Sequence, residues 1–67
     1  METRTDMYGY VVQLVILDQK EVYTRQDGVT VKLAIGTGWS RALSIFSAMQ
    51  PGDWVPPAPP PEPPVEA

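Results

Sequence analysis

The sequence predicts a small all-β domain, built as a barrel or as a curled antiparallel sheet of four to five strands. Residues 8–17 (YGYVVQLVIL) are rich in β-branched and aromatic side chains, two alternating segments flank Asp27-Gly28, and Pro51-Gly52-Asp53 indicates a turn. Such runs, separated by turn residues, are typical of short strands. We therefore expect a β domain over residues 8–55, a flexible N-terminus at 1–7 and a disordered, proline-rich acidic tail at 56–67.

The chain is short and lacks the side chains that enzymes use most often. Its 67 residues include no Cys and no His, so the usual general base and the thiol nucleophile are missing. Neither a disulfide nor a zinc staple is expected. A chain of this size buries only about 60% of its unfolded surface. We expect a non-catalytic protein without cofactors that self-associates as a dimer or a higher oligomer.

The charge and hydropathy patterns indicate no membrane segment. The net charge is −3, but residues 1–55 carry five cations against six carboxylates and are nearly neutral. The apolar stretch 11–17 is far shorter than the ~20 residues of a membrane helix, and residues 1–6 lack the basic character of a signal peptide. We expect a cytoplasmic protein, in the host cytoplasm if the source is a virus.

The central segments predict a β-hairpin. Residues 8–17 are read as a long strand buried mostly on both faces, followed by a turn at 18–20. Asp27-Gly28 then joins segments 21–26 and 29–35 through a two-residue turn, a connection that favours this dipeptide. This register pairs Tyr23 with Lys32 and Arg25 with Thr30 on a polar, solvent-facing side. The opposite side is mostly apolar.

Residues 39–50 (WSRALSIFSAMQ) allow two interpretations. We favour a strand to about Phe46, followed by a short helical turn near residues 46–50. The alternative is a helix that Ser40 caps and that Pro51-Gly52 ends, with a stripe formed by Ala42, Ile45, Phe46 and Met49. Trp54-Val55 is read as a last short strand.

Three groups of residues are candidates for binding. Tyr23, Arg25 and Lys32, with Lys20 nearby, combine cations and an aromatic ring as single-stranded nucleic-acid binders do, although an exposed strand also carries such residues for solubility. Trp39 and Arg41 form a second stacking pair, unless Trp39 belongs to the core. The third group is the PxxP-spaced prolines of the tail, which either contact a protein partner or belong to a solubilising segment: Pro57, Pro60 and Pro63.

The order of these segments resembles a known family. A ribbon YTRQDGVTVKLAIGTG is followed by a W-x-R pattern ending in an apolar Phe and by MQPGDWV. This arrangement is similar to single-stranded-DNA-binding proteins with the oligonucleotide/oligosaccharide-binding (OB) fold, including the small helix-destabilising proteins of filamentous phages. The resemblance implies an oligomeric OB-like module of a phage or plasmid that binds single-stranded DNA, or RNA, without sequence preference and serves DNA replication. The residues it implicates are Tyr23, Arg25, Lys32, Trp39 and Arg41.

A second hypothesis stays open beside this one. The protein is then a small structural or interaction accessory factor. Its β core oligomerises, and its proline-rich tail contacts a protein partner.

Overall fold

A computed structural model describes residues 1–55 of the chain. They form one antiparallel sheet in the order β1-β2-β3-β4 and one helix. The sheet is not closed, so β1 and β4 are its two edges. The predicted proline-rich tail, with Pro57, Pro60 and Pro63, lies outside the described residues. The elements are β1 (Glu2–Thr5), β2 (Val11–Leu17), β3 (Lys20–Arg25), β4 (Thr30–Ala34) and α1 (Trp39–Ser47).

The N-terminus is a strand, so the prediction of a flexible end at residues 1–7 is wrong. Glu2 pairs with Leu14 and Thr5 with Val11 along the apolar β2. The turn between the two strands is held by Asp6, whose Oδ1 accepts hydrogen bonds from the backbone N–H groups of Tyr8 (3.0 Å) and Tyr10 (2.9 Å). The β1 sequence, ETRT, is short and polar, and its position depends on pairing with β2 rather than on a pattern of its own.

The connection between β2 and β3 is confirmed as a tight turn. Asp18 and Gln19 both have positive φ, at 51° and 60°. Two such residues in succession are typical of a type I′ hairpin turn, whose twist matches that of the strands. Leu17 therefore pairs directly with Lys20.

The β3–β4 hairpin is present, but its predicted register is wrong by one residue. The Arg25 N–H donates to the Val29 carbonyl and the Gly28 N–H donates to the Arg25 carbonyl, both at 2.8 Å. These bonds enclose a three-residue loop, in which Gly28 has φ 94°. Type I turns closed by a left-handed glycine have this form. Tyr23 consequently pairs with Val31, and Lys32 pairs with Val22.

Residues 39–47 form a helix, so the favoured interpretation of a strand to Phe46 is wrong and the alternative of a helix is confirmed. The helix ends at Ser47, before Pro51-Gly52, and exposed Met49 lies outside it. Ala42 and Phe46 are buried, and Trp39 and Leu43 pack against them. This spacing of three and four residues places the apolar side chains on one helical face. Gly38, not Ser40, is the N-cap residue.

The C-terminal part of the domain follows the sequence prediction in one respect only. The Trp54 N–H donates to the Pro51 carbonyl (3.1 Å), which confirms the predicted turn. Residues 54 and 55 form no strand.

The helix covers one side of the sheet, and the core lies between them. Within residues 1–55, four hydrophobic residues are fully buried: Val12, Tyr23, Ala42 and Phe46. This part of the chain is mostly β, as predicted, with a helix packed on an open sheet. The expectation that β2 is buried on both faces is wrong, because Val11, Val15 and Leu17 are exposed. No helix within residues 1–55 has the length and hydropathy needed to cross a membrane.

Candidate interaction surface

The sheet has two faces of different character. We call the side covered by α1 the inner face and the opposite side the outer face. Successive side chains of a strand point to opposite faces, so Glu21, Tyr23 and Arg25 share the inner face. Lys20 and Lys32 project from the outer face.

The prediction that Tyr23, Arg25 and Lys32 face solvent on one side of the hairpin is therefore wrong. Tyr23 is fully buried and Arg25 is only 2% exposed, whereas Lys32 is exposed on the other side of the sheet. The physical reason is the loop between β3 and β4. One additional residue in the loop shifts β4 by one position, and such a shift moves every side chain to the other face.

The Arg25 guanidinium is buried because several groups neutralise it. Its Nε and Nη2 donate to the two carboxylate oxygens of Asp27 at 2.9 and 2.8 Å, and its Nη1 donates to Asp6 Oδ2 (3.4 Å) and to the Phe46 carbonyl (3.2 Å). The hydrogen bonds to Asp27 raise the pKa of Arg25, and Arg25 lowers the pKa of Asp27. A planar guanidinium suits this two-pronged contact. Arg25 thus links the hairpin loop to the β1–β2 turn and to the end of α1.

Glu21 holds the loop between β4 and α1. Its Oε1 accepts from the Tyr23 hydroxyl (2.7 Å) and the Gly38 N–H (3.0 Å), while Oε2 accepts from the Gly36 N–H (2.9 Å). These hydrogen bonds lower the pKa of Glu21, and the bond from Tyr23 has the largest effect. Burial, reinforced by Glu21, raises the pKa of Tyr23 to about 12. The side chains of Glu21 and Tyr23 therefore stabilise the fold.

The second predicted pair, Trp39 and Arg41, is separated. The Trp39 indole Nε1–H donates to Glu2 Oε2 (2.7 Å), and its ring meets Tyr23 edge to face with centroids 5.1 Å apart. The guanidinium of Arg4 lies 5.6 Å from the Trp39 ring centroid. Arg41 is exposed on α1. Trp39 therefore connects β1 to the core, partly buried, as the alternative interpretation expected.

The structure does not bring the six predicted nucleic-acid residues into one surface. Lys20 and Lys32 share the outer face, and Tyr23 and Arg25 are interior. Trp39 is the first residue of α1, and Arg41 is exposed on that helix. Whether any of these residues contacts a nucleic acid stays a prediction.

Sequence reasoning missed the carboxylates that make the inner face a folding unit. Glu21 precedes Tyr23 by two residues in β3, so acid and partner share one side of the strand, and Asp27 follows Arg25 by two residues in the hairpin loop. That spacing was the available signal. No such signal indicated the contribution of Asp6, because Asp6 and its partner Arg25 are nineteen positions apart in the sequence.

The outer face is uncovered within residues 1–55. Val15 and Val22 pair at its centre, and Leu17, Lys20 and Ala34 form the row at one end. Val11, Val15 and Leu17 are 41%, 45% and 56% exposed. Lys32, threonine and glutamine occupy the remaining outer-face positions, so the four strands place no aromatic or acidic side chain on this face. The outer face is thus aliphatic at the centre, with lysines towards its margin.

Comparison of the chain with protein-family models, curated proteins and solved structures finds no match. Among residues 1–55, no group of three or more acidic, histidine or cysteine side chains is placed to hold a metal ion.

Proposed function

We propose that the protein is a small, non-catalytic interaction module that oligomerises through the outer face of its sheet. The observation that carries this proposal is the exposed aliphatic surface around the Val15–Val22 pair. Antiparallel sheets with one wet face normally alternate apolar and polar residues. Here β2 carries apolar side chains on both sides, a pattern typical of strands covered twice.

The energetics favour covering this face with a second copy. Within residues 1–55 the fully buried hydrophobic core comprises four residues, and small domains commonly need oligomerisation for stability. Burial of apolar surface contributes about 25 cal/mol per Å². Lys32 lies on the edge strand β4 and Lys20 at the hairpin end, so the lysines lie at one margin of the aliphatic centre, as polar residues do at the rim of interfaces.

The test is the solution mass of the full chain and of two matched lysine variants. Sedimentation equilibrium from about 1 µM to about 1 mM covers association free energies of roughly −8 to −4 kcal/mol. We expect the wild type to exceed the 7.4 kDa of one chain. Val15→Lys, at the centre of the face, should lower the mass by abolishing association through this face, and Ser44→Lys, exposed on α1, should not. A folded wild type that stays monomeric throughout contradicts the proposal.

A second candidate is binding of single-stranded DNA or RNA by an OB-like sheet. What favours it is the shared position of Lys20 and Lys32 on a face without carboxylates. The sheet order is compatible with a curled OB-like arrangement, although an aromatic platform is missing from that face. Fluorescence titration of oligo-dT at two salt concentrations tests it, because phosphate binding weakens steeply with salt. Affinity that is absent at low salt, or that ignores salt, excludes it.

The tail completes the proposed module. We assign to Pro57, Pro60 and Pro63 the contact with a protein partner, since PxxP spacing suits aromatic grooves. Deletion of residues 56–67 should abolish binding of such a partner and leave the number of chains per oligomer unchanged.

A further inference from the structure

We infer that two copies of the chain also join edge to edge, through antiparallel pairing of β1 with β1 about a two-fold axis at Thr3. This inference rests on the proposed self-association and adds a second, distinct surface to it. The occupant of the β1 edge is a second copy, and the argument is charge complementarity between the two strands. The product is a continuous eight-stranded sheet with both helices on one side.

The backbone of β1 presents the necessary groups at the open edge. The Asp6 N–H donates to the Tyr10 carbonyl at 2.9 Å, so the main-chain groups of Asp6 point towards β2. Main-chain groups alternate in direction along a strand. Those of Glu2 and Arg4 therefore also point to β2, and those of Thr3 and Thr5 point outwards. Thr3 can exchange both of its hydrogen bonds with Thr3 of a second copy.

The side chains of β1 are complementary in this register. With Thr3 on the axis, Glu2 lies opposite Arg4 of the second copy, and Arg4 lies opposite Glu2. Directly opposed side chains of this kind are close, with Cβ atoms about 4.5–5.5 Å apart, and opposite charges there are favourable. A shift that places Arg4 or Glu2 on the axis would instead oppose like charges. The charges thus select one register.

Both charged groups are available for such a contact. Glu2 uses Oε2 to accept from Trp39, and its Oε1 makes no hydrogen bond within residues 1–55. Arg4 makes no ion pair within the same residues and rests 5.6 Å from the Trp39 ring centroid. Trp39 holds both side chains on the inner face at the edge. The other edge, β4, carries exposed Lys32 at its centre, and lysine is typical of edges that avoid pairing.

The decisive experiment exchanges the charges between two chains. The exchange is made in the Val15→Lys background, which should still form edge dimers but no longer associates through the outer face. Glu2→Arg then places Arg opposite Arg in a homodimer, and Arg4→Glu places Glu opposite Glu. Each of these variants alone should dissociate at least about tenfold more readily than its Val15→Lys parent. An equimolar mixture restores both opposite-charge pairs, so heterodimers should form with affinity near that of the parent. Native mass spectrometry resolves the species, and circular dichroism checks each fold.

The outcomes separate this inference from the general proposal. Loss of association in each variant without rescue in the mixture overturns edge pairing, because a mere loss of the Trp39 contacts would not be repaired by mixing. Association unchanged in the single variants overturns it as well. In both cases the mass of the Val15→Lys variant tests the outer-face proposal independently.

A second pair of variants examines the backbone without changing charge. Thr3→Pro removes an N–H that faces the open edge, which a single folded chain tolerates. Arg4→Pro removes an N–H that bonds β2 and should unfold the strand. In the Val15→Lys background, we expect Thr3→Pro to keep its circular dichroism spectrum and lose edge dimers. A folded Thr3→Pro variant that dimerises like its Val15→Lys parent overturns the inference.

Discussion

The substitution Tyr23→Phe tests the interior placement of Tyr23 most sharply. It removes only the hydroxyl that donates to Glu21 Oε1 at 2.7 Å and keeps the buried ring. A hydrogen bond to a charged group contributes roughly 1.5–3 kcal/mol. For a chain of this size, a loss of that magnitude lowers the melting temperature by roughly 6–24 °C. Thermal unfolding followed by circular dichroism at fixed protein concentration measures it.

Alkaline pH gives the same substitution a second readout. The pKa of Tyr23 is raised from 10.0 to about 12 in the folded chain. Above pH 10 the unfolded chain loses this proton while the folded chain keeps it, so stability falls as pH rises between these values. At about 1.4 kcal/mol per pKa unit, the full effect is roughly 3 kcal/mol. Tyr23→Phe should lack this loss.

Tyr10→Phe is the matched control, since the Tyr10 hydroxyl makes no hydrogen bond within residues 1–55 and its ring is only partly buried. We expect it to behave as the wild type at neutral and alkaline pH. A Tyr23→Phe protein as stable as the wild type, with an unchanged alkaline decline, refutes the interior hydrogen bond and returns Tyr23 to the list of surface residues.

Three further perturbations address the core, the hairpin loop and acid pH. Phe46→Ala should cost about 3–5 kcal/mol and unfold much of the chain in a thermal melt, whereas Ile45→Ala, at a half-buried neighbour, should cost clearly less. Gly28→Ala should destabilise by about 1–2 kcal/mol in urea unfolding because φ is positive there, and Gly52→Ala, with no positive φ, should be nearly neutral. The lowered pKa of Glu21 means that its carboxylate stabilises the fold above its ordinary value of 4.5, and this contribution is lost as pH falls through the folded pKa. Glu21→Gln should therefore flatten the decline of the melting temperature in acid, and an unchanged acid profile would contradict the role of Glu21.

Local patterns predicted the elements better than their partners. The apolar run of β2, the predicted turns at 18–20 and 51–53 and the position of the β3–β4 hairpin all follow from residue type and turn chemistry. The strand β1 could not be predicted, because ETRT carries no apolar alternation and owes its position to β2. The choice of helix for residues 39–47 depends on the sheet, whose inner face receives Ala42 and Phe46.

The candidate site was predicted incorrectly for a related reason. Arg25 reads as a surface residue until Asp6 and Asp27 are known to surround it, and one of these contacts spans nineteen positions. The face on which Lys32 lies depends on a single residue in the hairpin loop. Turn length and long-range ion pairing therefore determined which side chains are available to a partner, and neither is encoded in local periodicity.

The most direct test of the central claim is an isotope-filtered NOE experiment on an equimolar mixture of labelled and unlabelled chains. It detects only contacts between copies. Covering of the outer face by a second copy predicts intermolecular NOEs from the methyl groups of Val15 and Val22. Intermolecular NOEs confined to other surfaces, or none at all at concentrations where the chain is folded, would contradict the account.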